Sequence, residues 1–301
     1  MPYDKNDPRS QLGGTRTKER PTGACFAPQY FEFDKLEPDE VSDAGTRTWY
    51  VRSQNCCVVF SDGAEGEVLE RTDQPDEYMV LFPGDAIATI SAGGGHAEVR
   101  GESVAIVPPG PSAITLGSSG TVVRLFSTQA RDLADKCRNA DVFATADPNV
   151  PTFVPWPDPL GGHAIRVYPL AEIPQDSGRF GRLLRCSTIM VNYFYPDDGP
   201  RDPHKLSPHH HDDFEQISLQ LVGEYVHHIR TPWTVDLDAW RPDDHQRCSS
   251  PAVTIIPPPT IHTSQGVEQM RHHLIDIFCP PRVDFSERPG WVLNADEYPV
   301  P

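Results

Sequence analysis

Residues 207–225 read SPHHHDDFEQISLQLVGEY, and residues 250–266 read SPAVTIIPPPTIHTSQG. The first stretch passes from a polar run into strand-like text. The second is an apolar run stopped by three prolines before a histidine. Side chains two apart on a strand share a face, so His209 and His211 point one way and His210 the other. Glu215, Ile217, Leu219 and Leu221 keep the parity of His209 and His211. This reading places two imidazoles and a carboxylate on the inner face of a barrel, with His262 on a later strand as the fourth donor. Three imidazoles and one carboxylate suit one divalent transition metal, Fe(II), Mn(II), Ni(II) or Zn(II), and leave one or two positions for water and substrate. His210 with Asp212 or Asp213 is the opposite-face alternative, although these residues are better placed to orient the imidazoles. The plain alternative is a solvated polar loop. Ten of the twelve histidines lie after residue 203, which concentrates the candidate chemistry in the second half of the chain.

Outward from these stretches the text is short apolar runs broken by turn residues. WYVRS, CCVVFSDG, EYMVLFPGD, AIATISAGGG, SVAIVPPG and TVVRLFS follow one another between residues 48 and 127, and similar runs resume after residue 162. Runs of this length and spacing indicate β-sandwiches or barrels. The 32 prolines and 22 glycines among 301 residues leave few stretches long enough for a helix, so the fold class is all-β. One short helix is expected within STQARDLADKCRNADVF (127–143), capped by Ser127 or Thr128, with Leu133 and Cys137 on one face. The organisation reads as an N-terminal arm (1–45), a first barrel (46–145), a proline-rich linker (146–162), a second barrel (163–285) and a tail (286–301). Tyr30, Phe31 and Phe33 mark residues 24–37 as a part of the arm that wraps onto a sheet.

The two halves repeat. Glu77 and Gly84 followed by Pro108 correspond to Glu215 and Gly223 followed by Pro257, at offsets of 138, 139 and 149 residues. The surplus falls in TPWTVDLDAWRPDDHQRC (231–248), where Trp233 and Trp240 flank a candidate lid. HxHxxxE followed by a glycine, then P-x-x-x-x-H, resembles the two signature motifs of the cupin superfamily. His209, His211, Glu215 and Gly223 stand at the positions of the first motif, and Pro257 and His262 at those of the second. The Glu215–Gly223 spacing is one residue longer than usual, and Pro251 and Pro259 replace common glycines. The first half fits the same frame with Arg71 and Asp73 at the histidine positions and Ala113 at the last one, so only Glu77 remains. The resemblance implies two tandem cupin-type jelly-roll barrels, the first without metal ligands and the second metal-binding.

The formal charge of −17, with no basic run to offset it, argues against nucleic acid and anionic membrane surfaces as partners. No apolar stretch is long enough to span a bilayer, and the N-terminus lacks an apolar segment of the secretory type. Seven scattered cysteines without a CxxC fit reduced, packed thiols, so a cytoplasmic protein is expected. The partners expected are a small-molecule substrate and further copies of the chain, in a homodimer or higher homo-oligomer. His228 and Arg230 are the candidate catalytic residues, as acid–base group and carboxylate anchor in a barrel otherwise lined by apolar groups. His227, Arg182 and Arg185 are weaker candidates, and only one of His227 and His228 can face inward. By resemblance the activity expected first is that of a non-haem Fe(II) dioxygenase on a small oxygenated, carboxylated substrate. A uronate-type isomerase and a non-catalytic metal- or ligand-binding protein are the other expectations.

Overall fold

The computed structural model describes residues 25–176, 178–212 and 214–301. The arm residues 1–24 and the alternative ligand Asp213 lie outside the described residues. The chain forms two barrels, each a large sheet facing a small one, with two short α-helices among the described residues. In the first barrel the seven-stranded sheet runs Arg166–Pro169, Ser103–Val107, Tyr78–Phe82, Gly120–Ser127, Cys56–Gly63, Arg47–Arg52, Glu40–Val41. It faces the four strands Val68–Arg71, Ser112–Leu116, Ile87–Ala92 and Gly95–Arg100. In the second barrel the large sheet runs Gln29–Glu32, Ala252–Ile256, Gln216–Val222, Arg271–Phe278, Met190–Tyr193, Arg182–Arg185. It faces the strands Asp244–Ser249, Glu224–Arg230 and Ile261–Val267.

Each barrel receives a strand from outside its own stretch of chain. Gln29–Glu32, from the arm, pairs with Ala252–Ile256 of the second barrel. Arg166–Pro169, past the proline-rich linker, pairs with Ser103–Val107 of the first. The insertion at 231–248 supplies the edge strand Asp244–Ser249 rather than remaining a loop throughout. Its Trp233 and Trp240 stack on each other with ring centroids 4.4 Å apart. The expected helix is shorter than its text, Arg131–Lys136, and begins beyond Ser127 and Thr128 without a side-chain cap. Leu133 and Cys137 pack into the first barrel as expected, and all seven cysteines are free and buried.

The two large sheets lie back to back, and this decides which residues face where. Along Tyr78–Phe82, Tyr78, Val80 and Phe82 fill the first barrel with Ile90 and Ile114. Met79 and Leu81, on the other face, join a core shared with Ile217, Leu219, Ile275 and Ile277 of the second barrel. The apolar side of Gln216–Val222 is therefore the inter-barrel side, and its barrel-facing side is Gln216, Ser218 and Gln220, all buried. An apolar residue truncated in the shared core loses transfer energy and leaves a cavity. Leu219→Ala is expected to cost about 2–5 kcal/mol in denaturant unfolding. A value within about 0.5 kcal/mol of wild type would mean that the sheets do not pack as described.

Candidate metal centre

His209, His211 and His262 come together, their ligand nitrogens all within 4.8 Å of one another. Their meeting is set by backbone. His209 and His262 form an isolated antiparallel bridge, with His209 N–H donating to His262 O (3.0 Å) and His262 N–H to His209 O (2.8 Å). Pro257 O accepts from the Thr260 hydroxyl at 2.7 Å, which fixes the turn that delivers His262. His211 stacks on Phe214 (4.3 Å between centroids), and the Arg282 guanidinium lies 4.5 Å from the other ring of that stack.

The fourth donor expected, Glu215, does not join them. Its carboxylate turns to the first barrel and accepts from Gln54 N at 2.8 Å. Burial raises its pKa to about 7, against the lowering effect of the Gln54, Ser53 and Asn55 donors. The parity argument fails because the chain between His211 and Gln216 is irregular, and the regular strand starts only at Gln216. The extra residue before Gly223 is absorbed by a register shift between Gln220 and Val222.

Gln216 takes the place next to the imidazoles. Its Oε1 lies 3.1 Å from His211 Nε2 and 3.3 Å from His262 Nε2. The amide's orientation is held by Nε2, which donates to Asp276 Oδ1 (3.0 Å) and Ser218 Oγ (3.2 Å). Sequence reasoning missed this residue. Spacing gave no signal for it, because Gln216 stands at the strand-start position that Tyr78 holds in the first barrel, and the register shift before Gly223 offsets the count to the glycine.

These contacts test whether a cation fits. Thr260 O accepts from His262 Nδ1 at 3.1 Å, and Ser207 O from His209 Nδ1 at 2.9 Å, so the neutral rings present Nε2 as a lone pair. His262 Nε2 then faces Gln216 Oε1 with no proton between them. Protonation does not relieve this near neutral pH, because burial lowers His262 to about 4 and holds His211 well below the ordinary histidine value. Two buried acceptors pointed at each other are unfavourable unless a cation sits among them. The donor set of three imidazoles and one amide oxygen fits a divalent transition metal.

The centre opens on a cavity of about 440 Å³, lined among others by His209, Gln216, His262, Arg201, Tyr225 and Asp276. The cavity lining is mixed, with Phe180, Phe194, Tyr195 and Leu274 beside these polar groups, rather than apolar as expected. His272 also lines the cavity and is wedged between two glycines, where an added Cβ would come within 2.6 Å of the ring at Gly223 and 2.9 Å at Gly266. Gly223 moreover has φ +106°, which favours glycine.

His228 and Arg230 are not in this cavity. Along Glu224–Arg230 the buried face is Tyr225, His227 and Ile229, so both candidates point outward. His228 pairs with His245 (2.8 Å) and Gln265 (3.1 Å), and Arg230 with Asp243 (2.9 Å). His227 faces inward, fully buried, with Ser264 Oγ at 2.9 Å from Nδ1 and the Gln220 amide donating to Nε2. Burial pushes its pKa down to about 3, so it is a neutral packing element. Arg185 is buried beneath Trp156 and donates to Pro299 O at 3.1 Å, which anchors the tail. Arg182 stacks between Tyr193 and Tyr195.

No family model matches the chain, and no curated protein matches it. Solved structures do. The oxalate decarboxylase of Lactobacillus farciminis, in a formate complex, aligns with a TM-score of 0.58 at 13% identity, over 86% of this chain and 88% of that one. A point mutant of Bacillus subtilis oxalate decarboxylase aligns at 0.55 and 14% identity, over 88% and 79%. AerE from Microcystis aeruginosa aligns at 0.52 and 12% identity, over 86% and 99%. The fold is that of a bicupin, all-β with a histidine triad in the second barrel.

Glu215 and Gln216 are separable by mutation. Glu215→Ala is expected to keep the metal content of the wild type while costing about 1–3 kcal/mol of stability, from the donors it strands. Gln216→Ala is expected to weaken metal affinity by about 10–100-fold. Metal analysis after dialysis against a graded chelator checks both, and the reverse pattern would return Glu215 to the centre.

Proposed function

We propose that the protein is a metal-dependent enzyme whose second barrel works as a non-haem Fe(II) dioxygenase on a small oxygenated, carboxylated organic substrate. The observation that carries the reading is the convergence of His209, His211, His262 and the Gln216 oxygen beside the 440 Å³ cavity, which His209, Gln216 and His262 line. Bound there, Fe(II) supplies Lewis-acid polarisation of a chelating substrate and a partner for O2.

The chain's own groups do the rest. Ser207 O and Thr260 O hold the His209 and His262 rings in one tautomer. Asp276 fixes the Gln216 amide so that its oxygen faces the imidazoles. All four donors are neutral, so the ion's positive charge is left to be balanced by an anionic substrate such as an enolate, catecholate or hydroxy acid. Arg201 adds charge at the cavity wall, positioned by its bonds to Ser264 O (2.9 Å) and Ser207 Oγ (2.9 Å). It takes the carboxylate-binding role first expected of Arg230. Asp276 lines the cavity and accepts from the Gln216 amide, and it supports a second reading, proton-transfer chemistry of a lyase or isomerase with the same ligands.

The test is metal analysis of protein purified without added metal, followed by O2 uptake with a panel of catechols, enols and hydroxy acids. About one Fe per chain is expected, with O2 uptake abolished in His262→Ala. Turnover that proceeds without O2 would move the assignment to the second reading. Absence of metal from the wild type would overturn both.

A further inference from the structure

The first barrel lacks the histidines, yet it holds a cavity of about 490 Å³, lined among others by Tyr50, Leu69, Arg71 and Arg124. One residue there is out of keeping with its surroundings. Arg124 lies on Gly120–Ser127 between Val122 and Phe126, whose side chains belong to the barrel's apolar core. It is only 7% exposed, and its Nε has no hydrogen-bond partner. Burial works against its charge.

Three of the four acids around the cavity are already engaged. Asp132 is held by Arg71, whose Nη2 donates to it at 3.0 Å. Glu40 accepts from the Tyr50 hydroxyl at 2.6 Å and pairs with Lys136 at 2.7 Å. Glu67 accepts from the Ser42 hydroxyl. Arg124 has the Phe126 ring 6.0 Å from its guanidinium but no hydrogen-bonded acid among the described residues, which is costly inside an apolar barrel, and the cavity beside it gives an anion access.

The repeat strengthens the point. Arg124 pairs across the sheet with Val80, two residues after Tyr78, the strand's first residue. In the second barrel Asp276 pairs with Ser218, two residues after Gln216, again the strand's first residue. Arg124 and Asp276 therefore occupy the same place in the two barrels. Where the second barrel has an acid beneath a candidate cation site, the first has a buried cation.

We propose that the first barrel carries a separate anion site, in which Arg124 binds the carboxylate of a small organic acid with its apolar part against Tyr50, Leu69 and Leu133. A guanidinium recognises a carboxylate through two parallel N–H donors. The Glu40, Glu67, Glu70 and Asp132 carboxylates around the cavity select against multiply charged anions, which favours a monocarboxylate over phosphate.

Benzoate is the probe, titrated calorimetrically into the full-length protein. One saturable site is expected, unchanged in His262→Ala and at least about tenfold weaker in Arg124→Met, which removes both parallel donors. Arg124→Met should melt no lower than the wild type and lose the benzoate-induced rise in melting temperature. Arg124→Lys keeps the charge without the fork, should bind more weakly than wild type, and serves if the Met variant does not fold. Wild-type affinity in either Arg124 variant, loss of binding in His262→Ala, phosphate binding in place of benzoate, or no binding to the wild type would each overturn the site.

Discussion

The structure depends on burying the two large sheets against each other, and a pair of reciprocal carboxylates marks that contact. Glu77 of the first barrel reaches into the hairpin of the second, accepting from the Ser187 hydroxyl at 2.7 Å and Ser187 N at 3.1 Å. Glu215 of the second reaches into the corresponding hairpin of the first at Gln54. The two glutamates stand at equivalent positions, each one residue before its strand begins. Each satisfies backbone donors of a turn that would otherwise be stranded in an apolar contact. The Tyr298 hydroxyl adds to the Glu77 side at 3.0 Å, tying the C-terminal tail to the same seam.

This seam explains what could be read from the sequence and what could not. The strand rhythm, the repeat and the gathering of histidines were legible, because turn residues and a polar cluster leave marks that need no tertiary knowledge. The facing of Gln216–Val222 was not. A strand with one buried face advertises it by apolar alternation. Here both faces are buried, and the apolar one, Ile217 and Leu219, is spent on the other barrel. The interior face was left to Gln216, Ser218 and Gln220, which read as solvent-facing text. Counting parity from the histidines through an irregular segment then assigned Glu215 to the wrong side.

The same cause displaced His228 and Arg230. Two adjacent histidines at 227 and 228 offer either face, and nothing local distinguishes them. The pairing of Glu224–Arg230 with Ile261–Val267 settles it, since that register sets Ile229 opposite His262 and sends His228 to the outside. The exchanged strands were legible only in part: Tyr30, Phe31 and Phe33 marked the arm as wrapping onto a sheet, as it does, but not which sheet receives it. Gln29–Glu32 and Arg166–Pro169 are four residues each, too short to show a period, and they are held by pairing to edges far away in sequence.

The two barrels share a frame but have diverged in what their interiors can hold. At the strand-start position the first barrel has Tyr78, its hydroxyl 2.9 Å from Ser112, and the second has Gln216. At the neighbouring inward position they have Arg124 and Asp276. A phenol and a guanidinium offer donors; an amide oxygen, a carboxylate and three imidazole lone pairs offer acceptors. Loss of the histidines from the first barrel therefore does not leave a filled, inert copy. It leaves a barrel whose charge has been inverted at a matched place. The back-to-back packing lets this happen, because the shared apolar core lies on the outer faces and constrains neither interior.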